Sequence, residues 1–220
     1  MIAVSLGAAG TALAIGLLVV VMLWFTWGTQ RNIARGNRLL RWLQGGLPQV
    51  GKRTNLRWLG SSAVELSIVE PAAPFADLTV LVVLEPRDVP WFWLFARSRG
   101  RRDFMIFRAR LRSSPTFELE AGDRSGWTGA ERLAKLDRDA WVTADWEGST
   151  LEVLHAPAAP PDAVRPIIGR LDETSGGVWR VSVRREPPHV EIHLLPPDPD
   201  VADASELVRA VVDLARSAAR

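Results

Sequence analysis

The sequence predicts an α+β protein: one N-terminal transmembrane helix, then a strand-rich domain of antiparallel hairpins with helices packed on one face. Residues 1–30 carry no charged side chain, and about 20 apolar residues suffice to cross the ~30 Å hydrocarbon core of a bilayer. Further along, short segments alternate apolar and polar residues, as in strands with one solvated face. Segments with helical apolar spacing follow pairs of such strands, an order typical of α+β domains.

Residues 1–28 are predicted to form the transmembrane helix. Twelve of residues 2–27 are Leu, Ile, Val or Phe, and together they favour insertion by at most roughly 4–7 kcal/mol. A buried soluble helix seldom runs this long without charge. A cleaved signal peptide would need a basic residue before its apolar core, but the first Lys or Arg is Arg31. We therefore expect the helix to span the cell membrane once.

The flanks of this helix predict its orientation. Trp24 and Trp27 stand at its end, where indole rings prefer the headgroup layer. Basic residues follow at once, beginning with Arg31, Arg35 and Arg38, and no acid occurs before Glu65. Because positively charged flanks stay in the cytoplasm, we expect the N-terminus outside and the domain inside.

Small residues mark the outer half of the helix. Ala8, Ala12 and Gly16 recur at four-residue spacing, which lets a second membrane helix approach closely. Ala and Gly are also common in membrane helices generally, so both explanations stay open. The expected partners are membrane lipid and another membrane protein or a second copy of this chain.

Residues 29–58 are predicted to be a basic juxtamembrane amphipathic helix and a linker. Ile33, Gly36, Leu40 and Leu43 share one helical face, opposite the arginines. Their spacing fits either a short heptad pairing or a helix lying on the membrane surface. Gly45, Gly46 and Pro48 are expected to end the helix.

Residues 59–220 are predicted to form the cytoplasmic α+β domain, with a possible sub-boundary near 122–128. The first expected strand covers residues 63–68, and the central strand covers residues 78–84. A hairpin of 104–112 with 116–121 is expected next, in which Arg110 pairs with Glu118 and Arg108 pairs with Glu120. A capping box at Thr128 then opens a helix bearing Leu133 and Leu136. The later elements are a hairpin of 141–146 with 151–155, a helix capped by Asp162, a hairpin of 179–183 with 190–194 whose inward face includes Trp179, and a final helix from Asp203.

Residues 86–102 form an unusual loop in which aromatic residues run directly into arginines. Its candidate interface residues are Trp91, Phe92, Trp93, Phe95, Arg97, Arg99, Arg101 and Arg102. The loop could insert into the headgroup layer or dock a membrane partner, since Trp and Arg dominate binding hot spots. The competing explanation is a loop that plugs its own core and leaves a solvated basic end.

The sequence favours a non-enzymatic role, with no catalytic residue and no cofactor. Nucleophile and phosphate-loop motifs are missing, and the absence of Cys excludes thiolate chemistry. His189, Glu191 and His193 alternate along one predicted strand and are weak candidates for metal ligands. A polar strand face is the favoured explanation of the same pattern, and we expect no metal.

The charge distribution fits a tethered domain. Residues 31–112 carry 15 basic and 6 acidic residues, whereas residues 113–220 carry 12 basic and 19 acidic ones. Anionic lipid attracts the basic half, and the acidic half disfavours nucleic acid. We expect a binding, scaffolding or accessory subunit of a membrane complex; the alternative is a membrane-tethered hydrolase or transferase acting near the lipid surface.

Overall fold

The structure, a computed structural model, describes residues 2–134, 140–146, 148–158, 160 and 162–220. Its helices are α1 (Ile2–Leu43), α2 (Pro90–Ser98), α3 (Trp127–Ala134), α4 (Val164–Thr174) and α5 (Ala204–Ala219), with a 3₁₀ turn at Leu47–Gln49. Its strands are β1 (Arg53–Trp58), β2 (Ala63–Val69), β3 (Phe75–Val83), β4 (Phe104–Leu111), β5 (Leu119–Asp123), β6 (Val142–Ala144), β7 (Leu151–His155), β8 (Val178–Val183) and β9 (Val190–Leu194). The predicted α+β class with an apolar N-terminal helix is confirmed.

Helix α1 is continuous over 42 residues, about 63 Å at 1.5 Å per residue. It is long and apolar enough to cross a membrane, and its most apolar part is not covered by any other described residue. The predicted helical continuation beyond residue 28 is confirmed, and the helix ends just before Gly45 and Gly46, as the sequence indicates.

The second half of α1 packs into the domain, which corrects the predicted amphipathic face. Leu39, Leu40 and Leu43 belong to the main hydrophobic core, whereas Ile33 is 40% exposed. The buried face keeps Gly36, Leu40 and Leu43 of the predicted one, loses Ile33, and adds Asn32 and Leu39. This face is covered by the chain's own domain, so neither a heptad partner nor a membrane surface is needed to bury it.

All the described strands form one antiparallel sheet in the order β1-β2-β3-β4-β9-β8-β5-β7-β6. The predicted strands at 63–68 and 78–84 are present as β2 and β3, and the hairpins β6–β7 and β8–β9 are confirmed. Strand β1 lies within the predicted linker. Its side chains are almost wholly exposed, so it lacks the apolar alternation that marks a strand in the sequence.

The predicted hairpin of 104–112 with 116–121 is wrong. Strand β4 pairs with β3 and β9, and β5 pairs with β7 and β8. Arg108 therefore pairs with Glu191, 2.9 Å away, and Glu120 lies buried against Arg180, Arg184 and Ser182. The first half of β4 is buried on both faces, because Met105 and Phe107 lie in the main core and Phe104 and Ile106 pack with Trp179 on the opposite face. The connection after it crosses α5, where Thr116 N–H donates to the Ala218 carbonyl at 3.0 Å.

One face of the sheet carries the main core, beneath the end of α1, α4 and α5. Helix α3 departs from the predicted one-sided arrangement: Leu133 lies over Gly122, on the face opposite Ala121. Trp179 also lies on this second face, with Phe104 and Ile106. A bulge between Val178 and Arg180 shifts the alternation, so the predicted inward orientation of Trp179 is wrong.

The helix starts are partly as predicted. Asp203 caps α5 by accepting a 2.8 Å hydrogen bond from Ser205 N–H, and the core spacing of α4 is confirmed. Ala163, not Asp162, is the N-cap of α4. Thr128 lies inside α3, and its buried hydroxyl has no hydrogen-bond partner in the described part of the chain, so it does not form the predicted capping box. Leu136 lies outside the described residues.

Candidate functional site

Residues 86–102 contain a helix, α2, where the sequence analysis expected a loop. Pro90 occupies the first turn, where its missing N–H and fixed φ cost nothing. Large apolar residues follow without a glycine until Gly100, whose φ of +82° lies in the left-handed region that glycine favours. The predicted interface residues from Trp91 to Arg97 are thereby arranged around a helix axis, and Arg99, Arg101 and Arg102 follow its end.

Helix α2 has one exposed apolar face. Trp91, Leu94 and Phe95 are 63%, 61% and 55% exposed, and Phe92 lies on the same side. Trp93, Ala96 and Arg97 face the domain, and Ala96 is buried. Four adjacent large apolar side chains exposed in this way form a patch that soluble surfaces seldom carry.

A buried carboxylate anchors the inner side of α2. The Glu85 side chain is 3% exposed; Arg97 Nη1 lies 2.9 Å from its Oε1, and Trp93 Nε1 donates to its Oε2. Arg87 Nη2 approaches at 3.6 Å. Because a buried charge is tolerated only when it is paired and hydrogen-bonded, these partners hold α2 in one position.

Helix α1 is bound to the same cluster. Asn32, fully buried, donates to the Glu85 carbonyl at 3.0 Å and accepts from Arg87 Nη1 at 3.1 Å. Trp24 Nε1 donates to the Arg87 carbonyl at 2.9 Å, and its ring lies 6.3 Å from that of Trp93. Trp24 is therefore a docking residue, and α1 and α2 meet at the level where α1 leaves the domain.

Most arginines of the 86–102 segment bind within that segment or to residues that flank it. Arg97 pairs with Glu85, and Arg99 lies over the Phe95 ring at 4.7 Å. Arg102 Nη1 donates to the Arg97 and Arg101 carbonyls. Arg101 itself is half-buried. This basic cluster therefore owes much of its arrangement to local structure.

The predicted interface arginines of α1, which are Arg31, Arg35 and Arg38, line one side of a groove. Trp27 is 49% exposed, and the Arg31 guanidinium lies 5.3 Å from its ring centre. Arg35 Nε lies 3.6 Å from Asp103, and Arg38 pairs with Asp200. Arg87, which the sequence analysis did not single out, completes the groove with Asp103 through bonds of 2.9 and 3.1 Å.

The possible metal ligands, which are Glu191 and His193 on β9 and His189 just before it, form hydrogen bonds within the protein. His189 precedes the strand, and its Nδ1 accepts from Leu111 N–H at 2.9 Å. His193 Nε2 lies 2.9 Å from Glu191 Oε1. Within the residues that the structure describes, no group of three or more His, Cys, Asp or Glu is placed to hold a metal ion.

Glu191 is the centre of a charge cluster on the second sheet face. Burial raises the pKa of its carboxyl, but the hydrogen bond from His193, the charge of that ring when protonated, and the charges of Arg108 and Arg180 outweigh burial and lower the pKa to about 2. Arg180 Nη1 lies 3.0 Å away. The carboxylate thus stays ionised and ties β9 to β4 and β8.

A separate groove lies beside α4. It is lined by Ser149, Asp172 and Glu173 among others. Ser149 Oγ accepts from Leu151 N–H at 3.1 Å, and Asp172 Oδ1 accepts from Val178 N–H at 2.8 Å. Both groups therefore serve local turns, and the groove adds no support for the hydrolase or transferase alternative.

These features define a class by architecture: an antiparallel α+β domain built onto a helix that could span a membrane. No protein-family model matches the chain, and no similar protein was found among curated sequences. Function is therefore argued from the geometry alone.

The docking of α1 can be tested at Gly28. A Cβ at this position would overlap the Arg87 carbonyl and the Asp88 backbone, whereas a Cβ at Gly16 meets nothing within 4 Å. Both Ala substitutions gain the same helix propensity, so their difference isolates the clash. We expect Gly28→Ala to lower the unfolding free energy of the full-length protein in mild detergent by roughly 1–3 kcal/mol relative to Gly16→Ala. Equal stability of the two variants would contradict this docking.

The Glu191 cluster predicts a pH dependence of stability. Because the folded-state pKa of Glu191, about 2, lies below its ordinary value of 4.5, its contribution is complete above pH 4.5 and is lost as the pH falls towards 2. Glu191→Gln should be destabilised at pH 6 and should lose less further stability than wild type between pH 6 and pH 3 in urea unfolding. The matched control is Glu186→Gln, at an exposed position, which should follow wild type. Parallel curves for Glu191→Gln and wild type would disprove the assignment.

Proposed function

We propose that this protein is a single-pass protein of the cell membrane whose cytoplasmic α+β domain serves as a binding, scaffolding or accessory module of a membrane complex. The first half of α1 would cross the bilayer, and α2 would rest in the headgroup layer beside it. The observation that carries the proposal is the position of the exposed α2 face, next to the point where α1 leaves the domain.

The apolar surfaces of α1 and α2 support the proposal that both helices contact the bilayer at the same depth. Large side chains of α1 are exposed up to Phe25 and Trp27, and Trp24 contacts the start of the α2 segment. Aromatic rings are favoured at the headgroup level, and a short helix with an apolar face lies in this interface readily. A bilayer that covers α1 would therefore also cover Trp91, Leu94 and Phe95.

The charges next to α1 support the proposed orientation. Arg31, Arg35 and Arg38 follow the apolar part directly, and residues 1–30 contain no Lys or Arg. Basic flanks are retained on the cytoplasmic side, which puts the N-terminus outside and the domain inside the cell.

A role in a complex is supported by the surface that α1 leaves open. A Cβ at Gly16 would meet nothing within 4 Å outside the backbone of its own helix, and Ala8 and Ala12 are exposed. A second membrane helix could pack on this stripe, either from another membrane protein or from a second copy. The rigid docking of α1 would then fix how the domain faces that partner.

Contact between α2 and lipid is testable because the chain has no cysteine. A spin label on Leu94→Cys in liposomes should collide more with oxygen, which concentrates in lipid, than with a water-soluble nickel chelate. The control is a label on Val201→Cys, at a loop position that is 86% exposed, which should show the opposite preference. A Leu94 label with the preference of the Val201 label would contradict insertion of α2.

Orientation is testable with a membrane-impermeant maleimide on intact cells. Ile2→Cys should react without permeabilisation, because the N-terminus is expected outside. Ser114→Cys, at an exposed position of the domain, should react only after permeabilisation. Labelling of Ser114→Cys in intact cells would overturn the proposed topology, and extraction of the protein by alkaline carbonate would overturn the membrane anchor itself.

A further inference from the structure

The groove beside α1 is strongly basic. It has a volume of about 480 Å³ and is lined by Arg31, Ala34, Arg35, Arg38, Arg87 and Asp103. Four guanidinium groups therefore face one carboxylate. Asp200 and Glu85, which contact Arg38 and Arg87 at the margin, reduce this excess without removing it.

The donors of these arginines are used unequally. Arg87 is fully engaged, with Asn32, Asp103 and the Glu85 carboxylate. Arg35 has one acidic neighbour at 3.6 Å, which is longer than a hydrogen bond. Arg31 contacts the Trp27 ring and has no acidic partner among the described residues. Arg31 and Arg35 thus retain N–H donors that no acidic side chain of the described residues occupies at hydrogen-bond distance.

The position of these two arginines suits a lipid headgroup. They are one helical turn apart on the same side of α1, and Trp27 lies one turn before Arg31. In the proposed orientation, Trp27 and the α2 aromatics occupy the headgroup layer. Arg31 and Arg35 begin about 6 and 12 Å further along the helix axis, and because helical side chains incline back towards the helix N-terminus, their guanidinium groups extend towards the lipid phosphates. The planar guanidinium group binds phosphate oxygens through two parallel hydrogen bonds.

We propose that this groove binds the phosphate group of an anionic phospholipid, held by Arg31 and Arg35 while Arg87 and Asp103 fix the wall of the groove. This inference rests on the proposed membrane anchoring and adds a lipid selectivity that anchoring alone does not require. The same N–H donors could also bind free phosphate, so the test distinguishes a phospholipid headgroup from free phosphate.

The test uses native mass spectrometry of the full-length protein in non-ionic detergent with added dioleoyl phosphatidylglycerol or dioleoyl phosphatidylcholine. Wild type should bind the anionic lipid more tightly. Arg31→Gln with Arg35→Gln should weaken phosphatidylglycerol binding about 30-fold, which corresponds to about 2 kcal/mol for two arginines near an anionic surface.

The matched control is Arg41→Gln with Arg110→Gln, which removes the same charge from two exposed positions outside the groove. Its affinity should remain within about threefold of wild type, since each surface charge outside the site acts only through a screened field. Thermal unfolding of both double variants should match wild type, because neither pair is part of the buried docking cluster.

Three results would overturn the inference. They are equal wild-type affinity for the two lipids, equal loss in the two double variants, and full displacement of phosphatidylglycerol by millimolar inorganic phosphate. Carbonate extraction from phosphatidylcholine liposomes separates the two proposals. A chain that resists extraction but lacks lipid preference overturns only the groove, whereas an extracted chain overturns the membrane anchor as well.

Discussion

The buried carboxylate of Glu85 is the constraint on which the arrangement of α1 and α2 depends. Its side chain is almost fully buried, and its partners come from the α2 segment, while its backbone carbonyl accepts from Asn32 of α1. An unpaired charge in this position would cost several kcal/mol. Helices α1 and α2 and the residue Glu85 therefore keep their positions together. Moving either helix would leave a charge or an amide without its partner.

This polar cluster gives a specificity that apolar packing would not. Apolar contacts are non-directional, so Leu39 and Leu43 could bury themselves at several rotations of α1. The hydrogen bonds of Asn32 and Trp24 require one rotation, and Gly28 permits the close approach to the backbone at Arg87 that this rotation demands. The orientation of Arg31 and Arg35 towards the groove follows from this one rotation of α1 about its axis.

The sequence was informative where a pattern is local. Apolar spacing predicts α4 and α5, and short connections predict the β6–β7 and β8–β9 hairpins, because neighbouring strands usually pair. It did not predict the pairing of β4, whose partner β9 lies about eighty residues away. It also gave the wrong sheet face for Trp179, because a bulge reverses the alternation there. Long-range pairing leaves no local pattern. The same limit explains why Glu120 was assigned to a solvated face although it is buried among arginines.

The arginines show this limit at the candidate site itself. The density of arginines in the sequence drew attention to Arg97–Arg102, yet Arg99 and Arg102 find partners within their own segment and Arg97 pairs with Glu85 just before it. The more widely spaced Arg31 and Arg35 keep unused donors, because Arg31 has no acidic partner among the described residues and Arg35 reaches only Asp103, at 3.6 Å. A run of basic residues in the sequence shows how many cations are present. Anion binding depends on which of those cations lack a counterion in the folded chain. In the proposed orientation, α1 therefore sets both the distance of the domain from the bilayer and the charges that meet the lipid.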